Sequence, residues 1–192
     1  MNRALLALLV LLSLSGCAFT PQAVSIAPNV NVAASNIGSG REVSLNVVDE
    51  RPKKTLGTVG ARGIGADISL EGDLVAAVQR ALADGFEKMD FKPGNAQLGN
   101  NTGIRVEIRN LDYVIIQGFW AGTLRVDAGL KAICIRNGLR PYEKLYHGEF
   151  VESIQVVQGK EANERYINTA LSDAVNSLLS DRELLDCLAQ GI

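Results

Sequence analysis

The sequence has 192 residues, 47% hydrophobic and 21% charged, which suits one globular domain with a real core plus a short appendage. Its 19 Lys and Arg are interspersed with 21 Asp and Glu, for a net charge of −2. No basic block follows a phosphate backbone, so nucleic acid is excluded as a partner class. Trp120 is the only tryptophan, which leaves few rings for base or sugar stacking.

The chain opens with Asn2-Arg3, a small positive segment, followed by an apolar run from Ala4 to Leu14 that only Ser13 interrupts. A bilayer-spanning helix needs about 20 apolar residues, so the run reads as an export signal that is removed. Its ending, Leu14-Ser15-Gly16-Cys17, resembles the lipobox of bacterial lipoproteins, and cleavage between Gly16 and Cys17 is expected. The Cys17 thiol would then carry a diacylglyceryl group, and a further acyl chain on its amine would make the anchor nearly permanent. By resemblance to enterobacterial lipoproteins, Ala18 in place of Asp points to the outer membrane, with the domain in the periplasm.

Residues 17–40 read as the lipidated N-terminus and a tether, rich in Ala, Ser, Asn and Pro and almost without charge. The alternation of Val24/Ile26 and Val30/Val32 also fits a segment lying along a sheet edge. Residues 41–192 read as a single domain. Val43, Leu45 and Val47 form one face of a strand that Pro52 closes, and "TLGTVGARGIGADIS" reads as a Gly-rich connection with room for a short strand. Leu70, Leu74, Val75, Val78, Leu82, Phe86 and Met89 recur at helical spacing.

From Ile104 the period becomes two, with a phase slip to Leu111 and Tyr113 that predicts a bulge near Asn110. Leu124 to Cys134 supplies the inward set of the next strand, and Tyr146, Gly148, Phe150 and Ile154 that of the third. A two-residue Asn137-Gly138 turn would reverse this parity and bury His147 and Glu149. We therefore expect "NGLRP" to be a five-residue loop, with Arg136 opposite Tyr142 and Lys131 opposite His147. Tyr166, Ile167, Ala170, Leu171, Ala174, Val175 and Leu178 make the stripe of a C-terminal helix. Ser180 to Glu183 has the form of a capping box for a last helix. The expected class is α+β, a mainly antiparallel sheet with helices packed on one face.

The lipobox, the "VVDERP" strand end, the "LVAAVQRALADGF" helix, "IIQG" and "NTALSDAVNSLLSD", in that order and spacing, resemble the YajG family of bacterial outer-membrane lipoproteins. The resemblance covers nearly the whole mature chain. It implies an envelope lipoprotein with no established enzymatic activity and supplies no catalytic residues.

The residues themselves give little chemistry. His147 is the only histidine, and it reads as a solvent-facing strand residue beside Glu149. There is no G-x-S-x-G elbow, H-E-x-x-H or C-x-x-C, so neither catalytic residues nor a metal or other cofactor is expected. "GARGIG" lacks the Gly-Lys-Ser/Thr of a phosphate loop. Asp49 and Glu50 point to opposite faces of a strand and read as a turn with Arg51 and Pro52. Cys134 and Cys187 are either a disulfide fixing the last helix or two separate buried thiols. Phe119 and Trp120, between glycines at a hairpin tip, either fold back on the core or meet a partner. The favoured reading is a non-enzymatic interaction or structural module contacting an envelope protein or the cell wall. A small-ligand or glycan site between sheet and helices is the alternative, and an enzyme comes third.

Overall fold

A computed structural model describes residues 20–61, 64–94, 102–118, 121–155 and 158–190. Eight strands form one sheet: β1 (Gln22–Ser25), β2 (Arg41–Asp49), β3 (Gly57–Ala61), β4 (Ile64–Glu71), β5 (Phe91–Gly94), β6 (Gly103–Ile116), β7 (Gly122–Arg136) and β8 (Leu139–Ile154). The described helices are α1 (Leu74–Lys88), α2 (Lys160–Leu179) and α3 (Arg182–Ala189).

The long strand β6 organises the sheet. One edge pairs antiparallel with β7 along its length. The other is shared, with β2 parallel to residues 103–108 and β3 parallel at Tyr113. Between these stretches the chain leaves and returns, the Glu50 N–H donating to the Ile108 carbonyl and the Tyr113 N–H to that of Leu56. β4 and β1 extend one flank of the sheet and β5 lies beyond β2.

The expected class needs correction on two points. The sheet is mixed: β1–β4, β2–β5, β2–β6 and β3–β6 are parallel, while β3–β4, β6–β7 and β7–β8 are antiparallel. A helix between strands is the reason, because α1 carries the chain from one end of the sheet back to the other and sets β5 and β6 parallel to β2. The second point is the helices, which are divided between different strands. α1 lies against β2 and β5, whereas α2 lies against β8, β7 and β1. Within the "GARGIG" stretch, Gly60 pairs with Gly65 and Ala61 with Ile64 in the β3–β4 ladder.

The meander keeps its apolar sets inward by bulges. The register shifts between Ile108 and Asn110, at the expected place. The expected five-residue loop, however, is a two-residue turn, with Asn137 and Gly138 both at positive φ, 52° and 74°, and Arg136 opposite Leu139. A second shift between Cys134 and Arg136 restores parity, so Cys134 faces Tyr142 and Lys131 faces Leu145. A bulge next to the turn does the work assigned to the loop length. Leu124, Val126, Ala128, Leu130, Ala132 and Cys134 are all fully buried. Gly148 lets β8 approach the α2 backbone, where a Cβ would collide with the Ala170 carbonyl.

The segment read as a tether is docked from Gln22 onward. Val24 is buried and Ile26, Val30 and Val32 pack on the core. The intervening backbone is caught by a polar ladder on α2. The Ser25 N–H donates to Glu164 Oε1, that of Ala27 to Asn168 Oδ1 (2.7 Å), that of Asn29 to Ser172 Oγ (2.8 Å) and that of Asn31 to Asn176 Oδ1 (2.8 Å). Asn168 and Asn176 also donate to the Ser25 and Asn29 carbonyls. The strap then hooks the end of α1, Ser35 N–H donating to the Lys88 carbonyl and Gly38 N–H to that of Met89, which satisfies carbonyls a helix end leaves open. A boundary at residue 40 therefore has no structural counterpart.

Replacing Asn168 by alanine removes both bonds from one rung, at a cost of about 1 kcal/mol. Hydrogen exchange at the Ala27 amide should quicken several-fold while exchange at Ala170, inside α2, changes little. Equal acceleration at both would mean that Asn168 supports the helix and not the strap.

Candidate functional site

The densest polar constellation lies where β8 meets the corner between α2 and α3. Asp181 is the N-cap of α3, its Oδ1 accepting from the Leu184 N–H at 3.1 Å. The expected capping box at Ser180 is thus displaced by one residue, because Ser180 still closes α2 by donating its N–H to the Asn176 carbonyl. The other oxygen, Oδ2, accepts from Lys144 Nζ (2.6 Å), Tyr142 OH (3.0 Å) and Tyr146 OH (3.1 Å).

Burial works to raise the Asp181 pKa, and the bonds from Lys144, the Leu184 N–H and the two tyrosines outweigh it, bringing the carboxyl from 3.8 down to about 2. Burial and the adjacent Asp181 charge push the Tyr146 phenol upward. Beside this hub is an open cleft of about 550 Å³ bounded by Lys144, Tyr146, His147, Ser177 and Glu183. Its central carboxylate is saturated with donors and spent on structure. His147 is exposed on β8, opposite Gly129.

Close by, Cys134 and Cys187 form a disulfide with Cα atoms 6.6 Å apart, joining the end of β7 to α3. Of the two readings of these cysteines, the structure contains the bond. Asp49 and Arg51 fold onto each other: Arg51 Nε and Nη2 donate to the two Asp49 oxygens at 2.9 and 3.0 Å, and Lys54 joins at 3.2 Å. The Arg51 bond is the main cause that lowers Asp49 to about 2. Arg51 is buried and its Nη1 has no hydrogen-bond partner. A second buried network holds the start of the strap. Tyr113 OH donates to Asn163 Oδ1, and Asn163 Nδ2 to Gln22 Oε1, each at 2.8 Å.

Gly16, Cys17, Phe119 and Trp120 lie outside the described residues. Asp49 and Glu50 part as a strand requires, Asp49 to Arg51 and Glu50 to Arg105. Among the described residues no group of three or more His, Cys, Asp or Glu is arranged to hold a metal ion. The Asp181 hub is absent from the sequence reading, although one signal was available: Lys144 shares the inward parity of Tyr142 and Tyr146.

Residues 28–189 match the family described as uncharacterised lipoprotein. The chain belongs to that family. This agrees with the YajG resemblance read from the sequence, and the match begins inside the strap. None of the individually curated proteins matches the chain. Among solved structures, a Xanthomonas campestris protein of the DUF330 family aligns with a TM-score of 0.55 at 10% identity, covering 82% of this chain and 93% of that one. A Helicobacter pylori protein described as a neuraminyllactose-binding hemagglutinin homolog aligns at 0.56 and 6% identity, covering 86% and 97%. Both likenesses are of fold. No helix among the described residues of this lipoprotein is long and apolar enough to cross a membrane.

The hub gives stability a defined acid dependence. Asp181 has a folded-state pKa below its unfolded value, so its contribution is complete above about pH 4 and disappears as pH falls toward 2. Asp181→Asn should cost about 2 kcal/mol at neutral pH. In urea unfolding across pH 2 to 7 it should also flatten the acid limb, leaving the parts that Asp49 and Glu71 supply. An unchanged acid limb would remove Asp181 from this role.

Proposed function

We propose that this lipoprotein is anchored in the outer membrane through lipid on Cys17, with its domain in the periplasm, and that it acts as a non-enzymatic interaction or structural module of the cell envelope. Family membership over residues 28–189, behind a leader that ends Leu14-Ser15-Gly16 immediately before Cys17, carries the reading. Its partner would be an envelope protein or the cell wall. The hub supports a structural use of the polar residues, since its carboxylate is already bonded by four donors.

Cys17→Ser should abolish palmitate incorporation and move the protein from the membrane to the soluble or signal-bearing fraction. An intact mass of the wild-type protein without acyl groups would overturn the anchor.

The cleft beside Lys144 and His147 supports a second reading, a small-ligand or glycan site. The Helicobacter pylori neighbour shares the fold only, so the cleft must carry this reading alone. Saturation-transfer NMR with neuraminyllactose tests it: transfer that Lys144→Ala abolishes would support a site there, and no transfer at millimolar ligand would end the proposal for this sugar.

A further inference from the structure

Among the described residues, five large apolar side chains are exposed, and three of them gather at one end of the sheet. Val114, Ile116 and Val151 are 46%, 57% and 54% exposed. Val114, Arg125 and Val151 form one rung across β6, β7 and β8, and Ile116, Thr123 and Ser153 form the rung nearest the β6–β7 link. One rung further in, Asp112, Asp127 and Glu149 stand side by side, with Arg125 paired to the last two at 2.8 Å. The surface thus changes from apolar to acidic within two rungs, a depth of about 7 Å per rung.

The strand register places the N-terminus at the same end. β1 runs parallel to β4, with Gln22 opposite Ile68. β4 pairs antiparallel with β3, which itself runs parallel to β6 with Gly57 opposite Tyr113. Going backward from Gln22 therefore moves toward the β3–β4 turn and the β6–β7 link. Thr20 begins the described chain, and Cys17 is three residues earlier. At about 3.6 Å per residue its Cα lies within about 11 Å of that of Thr20, whatever path the residues take.

We infer that the Val114–Ile116–Val151 end of the sheet is a second membrane contact, seated in the headgroup region of the bilayer that holds the lipid. The inference rests on Cys17 carrying that lipid. A docked strap leaves a leash too short to hold the domain clear of the surface, and its origin selects which end faces the membrane. Val114, Ile116 and Val151 supply an apolar contact of interfacial depth, about 5–10 Å. The Asp112–Asp127–Glu149 row limits entry, because carboxylates are costly to desolvate.

Trp120, the single tryptophan, lies in the link that joins β6 to β7 and serves as the reporter. The full-length acylated protein is reconstituted into phosphatidylethanolamine–phosphatidylglycerol vesicles with and without lipids brominated near the headgroup. Trp120 emission should fall at least twofold with brominated lipid. A Trp120→Phe, Leu139→Trp variant, whose reporter sits at the opposite turn, should lose less than a tenth. Ile116→Asp with Val151→Asp, both on the exposed face, should abolish Trp120 quenching while the protein stays vesicle-bound. An acylated chain with unquenched Trp120, or with equal quenching at both ends, would overturn the membrane contact. An intact mass lacking the acyl groups would overturn the anchor itself, and this inference with it.

Discussion

The strap on α2 depends on two repeats that happen to agree. Two residues of extended chain advance about 6.6 Å and four residues of helix about 6.0 Å, so alternate N–H groups from Ser25 to Asn31 meet successive side chains at 164, 168, 172 and 176. At about 1 kcal/mol net per bond, this ladder does not offset the cost of ordering the segment, about 1–2 kcal/mol for each residue fixed. The remainder comes from Val24, Ile26, Val30 and Val32, which the same alternation turns toward the core, and from the β1–β4 pairing. Polar bonds set the register and apolar burial supplies the stability. Because the strap also satisfies the end of α1, one segment ties both long helices to the sheet.

Parity imposes a comparable constraint on the other half of the molecule. β6, β7 and β8 bury one face, and a slip of one residue would exchange Leu124 and Val126 for Arg125 and Asp127. Two bulges prevent this, one at Asn110 and one beside the Asn137-Gly138 turn. The first has a further device: Asn110 lies over Gly129, where a Cβ would collide with its Oδ1, and its Nδ2 donates to the Asp127 carbonyl at 3.2 Å.

Much of this was legible where local pattern decides. The α1 and α2 stripes, the inward sets of β6 to β8 and the Asn110 slip follow from periods of 3.6 and 2, which packing only confirms. The β8 turn was misread because loop length and bulge are equivalent ways of fixing parity, and periodicity alone does not distinguish them. The Val24/Ile26 and Val30/Val32 alternation does signal the sheet edge where β1 lies, but low charge and an Ala, Ser and Asn content match a linker, and the partners that bind the strap, Asn168, Ser172 and Asn176, are more than 140 positions away. The parallel pairings were missed for a related reason, since adjacency of β2 to β6 is fixed across α1 and not by either strand. The candidate site fared worst: Tyr142, Lys144 and Tyr146 share a parity, but their common partner Asp181 belongs to another element.

The two ends of the sheet differ in what holds them. At the end near the Asn137-Gly138 turn, the disulfide, the Asp181 hub and α3 bind β7 and β8 together. At the other end the strap begins and the outer face carries exposed Val114, Ile116 and Val151 around Arg125. Lys144 pairs with Ala132, seven residues along β7 from the Arg125 rung and nine from the Thr123 rung, so the cleft stands about 23–30 Å along the strand from the apolar end. With that end on the membrane, the cleft and the Leu139 end of β8 point into the aqueous compartment. The cross-linked end is then the one turned away from the membrane, where the disulfide and the hub hold β7, β8 and α3 in one arrangement.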